Sequence, residues 1–199
     1  MAIIVALWLL AVVSAMTLLV DYSNSPGSSG LPPIHWPVQS QIPFDAAQST
    51  LVMFVHPRCP CTRASLGELE LLLARCQGQV SAHLLFISPP GTTEDWLKAD
   101  LWRKASAIPG VEVHCDNAGV EAQRFRCETS GYTLLYDRDG RLMFHGGITI
   151  SRGHSGENPG RNSLVALLHR QLLKPIKTPV FGCSLFEAEC QQGAKECKK

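Results

Sequence analysis

Residues 2–20, AIIVALWLLAVVSAMTLLV, contain no charged side chain, and nineteen such residues in a row make a helix about long enough to cross a hydrocarbon core. The run predicts a membrane helix over residues 1–21. A cleaved signal peptide is the alternative, because Val13 and Ala15 have the small-residue spacing that a signal peptidase takes. The apolar run continues five residues past Ala15, and no Lys or Arg precedes it, which favours an uncleaved anchor. The first Lys or Arg is Arg58, so the positive-inside rule has little to act on. The expected orientation is a short amino end inside and the long remainder outside. No cysteine precedes Cys59, which excludes the cysteine-directed cleavage of a lipoprotein.

Residues 22–43 hold five of the thirteen prolines together with SNSPGSSG. That composition resists both helix and ladder pairing. It reads as a tether carrying a folded domain away from the bilayer, with Trp36 and Ile42 available to pack on the domain. Beyond it, residues 44–174 are long enough for one core. The 18 basic and 17 acidic side chains nearly balance, which argues against nucleic-acid binding, since phosphate neutralisation needs a basic face.

Within the domain, residues 50–56 (TLVMFVH) form an apolar, strand-forming run typical of a buried central strand. Leu66, Leu69, Leu72 and Leu73 then recur at helical spacing, predicting a helix over 62–76. A second buried strand is expected over 80–88 and a helix over 93–107, capped by Thr93 with Glu94 and Asp95 in its first turn. A short strand over 111–115 and a short helix over 118–125 follow. Residues 133–137 and 141–144 flank Arg138-Asp139-Gly140, a hairpin signal, and a closing helix is expected over 163–173. This succession predicts an α/β fold, a mixed central sheet flanked by helices.

The chemistry concentrates at His56-Pro57-Arg58-Cys59-Pro60-Cys61-Thr62-Arg63, where the first strand gives way to the first domain helix. Backbone N–H groups at a helix start stabilise a thiolate, and Arg58 and Arg63 would add positive charge. Cys59 is therefore the expected nucleophile and Cys61 its resolving partner. A disulfide across the single residue Pro60 closes a small ring and is strained, which makes it easier to reduce.

Two stretches, VMFVHPRCPCTRAS and SGYTLLYDRDGRLMFHGG, resemble the thioredoxin-like superfamily, closest to its membrane-tethered thiol-disulfide oxidoreductases of the RedB-like type. The resemblance covers about residues 44–173. It implies a thioredoxin-like fold with Cys59 as the attacking cysteine, and a bacterial inner-membrane protein whose domain faces the periplasm, or a secreted one after cleavage. It also implies exchange with protein thiols and disulfides and a membrane electron donor. The second cysteine of the family aligns with Thr62, whereas this chain has Cys-Pro-Cys. The cis-proline of the family aligns with Tyr132 in the loop Gly131-Tyr132-Thr133, which would face the cysteines. A cis bond there without proline would cost about 3 kcal/mol, so a trans bond is expected. Because that proline is thought to keep metals off the cysteines, its absence raises copper as a cofactor. A copper-binding chaperone would use Cys59 and Cys61 with His56, His145 or His154, since thiolates and imidazole suit Cu(I) or zinc.

The other cysteines and histidines read more plainly. Cys76 is expected to be a small buried residue. Cys115 and Cys127 could pair or be inert, His83 is expected to be packed in its strand, and His169 solvated. The glycine-rich stretch over 146–156 lacks a phosphate-loop ending and reads as a flexible connection. In the tail, residues 175–199, Cys183, Cys190 and Cys197 stand seven apart. They read as a disulfide within the tail or from Cys183 back to the domain, with a third redox centre feeding Cys59 and Cys61 as the other possibility.

Overall fold

The computed structural model of the protein describes residues 1–89 and 100–186. The amino-terminal run forms one helix, α1 (Ala2–Asn24), with no buried residue. Its 23 residues extend about 35 Å at the helical rise. It is long and apolar enough to cross a membrane, a test that a signal sequence near an amino terminus also passes.

The domain is built on β1 (Ser49–Val55), α2 (Thr62–Arg75), β2 (Val80–Ser88), α3 (Asp100–Ser106) and β3 (Val111–Asn117). It continues through α4 (Val120–Arg124), β4 (Tyr132–Tyr136), β5 (Leu142–Gly146), α5 (Pro159–Leu168) and β6 (Ile176–Lys177). The six strands lie in the order β3-β2-β1-β4-β5-β6. β1, β2 and β3 run parallel, β4 is antiparallel to both β1 and β5, and β6 is parallel to β5. β1 is thus an interior strand, which is why its sequence is apolar on both faces. Leu51, Met53 and Val55 pack with Leu66, Leu69 and Leu72 of α2 and Leu164 of α5. Val52 and Phe54 pack on the other face with Phe125, Tyr132, Leu134 and Tyr136.

Several expected boundaries move. The closing helix begins at Pro159, four residues early, because Asn158 caps it by accepting from the Arg161 N–H at 2.7 Å and proline occupies its first turn. It ends before Arg170, whose φ of 58° leaves the helical region. Of the helix expected over 93–107, Asp100–Ser106 is helical; residues 90–99 lie outside the described residues. β6 was not expected, since two residues carry no periodicity.

The proline-rich segment does not hang free. The Trp36 N–H donates to the Gly140 carbonyl at 2.8 Å and the Leu142 N–H to the Ile34 carbonyl at 2.8 Å, while the Gly27 N–H reaches the Val180 carbonyl at 2.8 Å. Trp36 stands edge-on to Phe125 and Tyr136, and Ile42 is buried. Proline and serine resist regular structure here, yet these N–H and carbonyl groups find partners on the domain. The start of the glycine-rich stretch is likewise packed, whereas Gly153 and Gly156 are exposed with open space around them. A Cβ on Gly147 would lie 2.7 Å from the Pro179 carbonyl oxygen, and one on Gly160 2.1 Å from that of Gly147. These glycines allow close backbone approach.

Candidate active site

Cys59 lies in the turn between β1 and α2 and is 1% exposed; its N–H donates to the His56 carbonyl at 3.0 Å. Cys61 stands immediately before the first helical residue, Thr62, and is also buried. The chain folds so locally because Pro57 and Pro60 interrupt the strand and limit the turn, and the leucine periodicity of α2 then takes over.

A third thiol joins them from far along the chain. Cys183 follows Gly182, and its backbone N–H donates to the Cys59 sulfur at 3.4 Å. The Ser130 N–H donates to the Cys183 carbonyl at 2.8 Å, while a Cβ on Gly182 would fall 2.0 Å from the Ser130 carbonyl oxygen. Only glycine permits that approach. Burial opposes ionisation of Cys59, but hydrogen bonds from the Cys183 thiol and N–H and from the Thr62 hydroxyl and N–H outweigh it and lower its pKa. Burial and the nearby Cys59 charge raise Cys61. Burial, with its hydrogen bond to Cys59 and the charge there, pushes Cys183 up to about 12. The three sulfurs thus share one ionisation, placed on Cys59.

Hydroxyls complete the cradle. The Thr62 and Ser130 hydroxyl oxygens are 2.8 Å apart, and Ser130 accepts from the His56 N–H at 2.9 Å. In one direction this is a relay in which Ser130 donates to Thr62, freeing Thr62 to donate to the sulfur. Beside Cys59, a cavity of about 290 Å³ is lined by Pro57, Arg58, Pro60, Arg63, Asp100 and Leu101.

The flanking arginines are not what acidifies Cys59. Arg63 pairs with Asp100 and Arg58 is exposed; the largest lowering contributions are hydrogen bonds. The arginine that reaches the cluster is Arg152, which hydrogen-bonds Cys61 and donates to the Gly182 carbonyl. Its guanidinium also lies 4.9 Å from the Tyr22 ring centre, and the Arg152 backbone N–H donates to the Ser23 carbonyl at 3.0 Å. The site and the end of α1 therefore share one side chain. Pro60 is exposed at the rim.

In the loop opposite, no cis peptide bond occurs among the described residues. Gly131 has a φ of 87°, and a Cβ on it would lie 2.8 Å from the Ser65 hydroxyl oxygen. Thr133 turns its hydroxyl to the Gly131 carbonyl at 3.2 Å. Tyr132 points away from the cysteines into the second core face, its hydroxyl 2.9 Å from the His145 Nδ1.

That placement removes His145 from the thiols. His154 is exposed, its Nδ1 2.8 Å from the Arg152 carbonyl, and the His56 Nδ1 accepts from the Arg58 N–H at 3.2 Å. Neither Cys59 nor Cys61 forms a tight metal-ligating group with these histidines. Among the described residues, only His83, Glu112 and His114 bring three such ligand atoms within 4.8 Å of one another. No disulfide joins any two of the six described cysteines, so Cys115 and Cys127 do not pair with each other; Cys190 and Cys197 lie outside the described residues. Cys183, Arg152, Thr62 and Ser130 were not picked as site residues from the sequence. From the sequence, Cys183 reads as a tail cysteine returning to the domain or feeding Cys59 and Cys61; the Phe-Gly-Cys step over 181–183, a small residue beside a cysteine, is the signal that could have placed it at the site.

No protein-family model matches the sequence, and no curated protein matches it. Solved structures do. A conserved protein from Geobacillus kaustophilus matches at a TM-score of 0.57 and 19% identity, over 81% of this chain and 92% of that one. A hypothetical protein from Sinorhizobium meliloti 1021 matches at 0.52 and 20% identity, over 82% and 96%. A secreted disulfide oxidoreductase from Mycobacterium tuberculosis is a looser match, at 0.43 and 15% identity over 63% and 83%.

Proposed function

On the premise that the chain has the thioredoxin-like fold, we propose that it is a membrane-attached thiol-disulfide oxidoreductase of the RedB-like type, working outside the cytoplasm. The observation that carries this reading is the Cys59 sulfur, held acidic by the Cys183 N–H at the end of the central strand with two further thiols beside it. The Cys59 thiolate attacks one sulfur of a partner disulfide, forming a mixed disulfide and releasing the other partner sulfur as a thiolate. Cys61 or Cys183, once deprotonated, then attacks the Cys59 sulfur. The partner leaves as a dithiol, and the chain keeps an intramolecular disulfide and has lost two electrons. The reverse sequence oxidises a partner. Arg152, touching both the end of α1 and the site, favours a donor or acceptor at the membrane surface.

The closeness of Cys61 and of Cys183 to Cys59 also favours a second reading, in which two thiolates of the reduced site hold Cu(I). Turnover separates the two. With a thiol reductant and a disulfide substrate, the full-length chain should catalyse exchange and lose that activity in Cys59→Ser. Stoichiometric Cu(I) binding without exchange would replace the first reading by the second.

A further inference from the structure

On the far side of β2 from the cysteines, three electron-rich atoms converge without an obvious reason in the thiol chemistry. His83 on β2 and Glu112 on the edge strand β3 are register partners, and His114 follows two residues along β3 on the same face. The His83 Nδ1 lies 3.0 Å from the His114 Nε2 and 3.5 Å from a Glu112 carboxylate oxygen, which is 3.9 Å from the His114 Nε2. The other nitrogen of His83, Nε2, is 3.1 Å from the Ser81 hydroxyl oxygen.

The Ser81 hydroxyl can accept from a His83 Nε2–H, and that tautomer leaves Nδ1 free to act as a ligand atom. With an Nε2–H donated to Ser81, the His83 Nδ1 carries a lone pair aimed at a carboxylate and a second imidazole. A proton on either imidazole can bridge the 3.0 Å nitrogen pair, whereas a metal ion would be held by all three atoms at once. Bonds of about 2.0–2.1 Å to a tetrahedral zinc place ligand atoms roughly 3.3 Å apart, inside the span of the observed separations. His83 is 1% exposed and locked in the sheet, whereas Glu112 is largely open to solvent. The site therefore has one rigid ligand, a hydroxyl orienting it, as supporting hydrogen bonds do in metal sites, and a path for the ion. We propose that His83, Glu112 and His114 hold a divalent transition-metal ion of the zinc type, with a water in the fourth position, pinning the edge strand β3 to β2.

Metal content of the purified chain then reports on two places at once, so the sulfur cluster must be silenced. The test uses the full-length chain carrying Cys59→Ser, Cys61→Ser and Cys183→Ser, titrated with zinc by equilibrium dialysis. One zinc per chain is expected, with an absorption-edge spectrum showing nitrogen and oxygen neighbours, and zinc should raise the thermal midpoint. Adding His114→Ala or Glu112→Gln, both on the solvent side of the site, should weaken binding at least tenfold and remove the thermal shift. No bound zinc, a sulfur neighbour in the spectrum, or binding unchanged in both variants would overturn the assignment.

Discussion

The N–H of Cys183 points at the sulfur of Cys59 from 3.4 Å away, across 124 positions of sequence. This contact lowers the nucleophile's pKa and supplies a second thiol able to release a mixed disulfide, and most of the following expectations come from it.

Cys59 should be the first thiol alkylated at mildly acidic pH. Its ionised fraction grows as pH rises through a lowered pKa, whereas Cys61 and Cys183, both raised, stay protonated. Thr62→Val removes one hydrogen bond to the charged sulfur and should slow labelling at pH 6 about tenfold. Mass spectrometry of the labelled peptides checks this, and faster reaction at Cys76, Cys115 or Cys183 would refute the thiolate argument.

With two candidate resolvers beside Cys59, Cys61→Ser alone should slow release of a mixed disulfide without trapping it. Only Cys61→Ser combined with Cys183→Ser should accumulate the adduct on non-reducing gels. Equal accumulation in Cys61→Ser and the double variant would remove Cys183 from the cycle.

Gly182→Ala should uncouple Cys183 from the site, because the added Cβ would sit 2.0 Å from the Ser130 carbonyl oxygen. The expected outcome is a folded chain in which Cys59 labels more slowly at pH 6, its hydrogen bonds from Cys183 lost. Unchanged labelling kinetics would contradict the close approach.

Glu68, 0% exposed on α2, pairs with Arg161 of α5 and also accepts from the Gly156 N–H at 2.7 Å and the Asn158 amide at 3.0 Å. Glu68→Ala leaves the buried guanidinium with the exposed Glu157 as its ion-pair partner and should lower stability by about 3 kcal/mol, read by denaturation. Glu68→Leu with Arg161→Met, which removes both charges, should recover much of that loss. A single variant within 1 kcal/mol of wild type, on the order of an ordinary surface change, would show the pair to be inconsequential.

Carbonate-washed membranes should retain the full-length chain if α1 is an uncleaved anchor. Recovery of a soluble form beginning near Met16 would establish cleavage instead.

The sequence by itself determined the elements whose signals are local. The apolar run over 50–56, ended by prolines and followed by leucines at helical spacing, read as a buried strand feeding a helix, and β1 and α2 form there. That junction put Cys59 and Cys61 at the helix start, and Arg138-Asp139-Gly140 between two strand runs placed the hairpin. Tertiary structure decided everything that depends on which distant backbones touch. Gly182 meeting Ser130 brought Cys183 to Cys59. The register of β2 on β3 set His83 against Glu112 and His114, and Tyr132 turning into the core carried His145 away from the thiols. Arg152, rather than Arg58 or Arg63, reaches the cluster, where its charge acts on Cys61 and Cys183. Periodicity and propensity act over a few residues, whereas these contacts depend on strand order and close backbone approach, which leave almost no local trace.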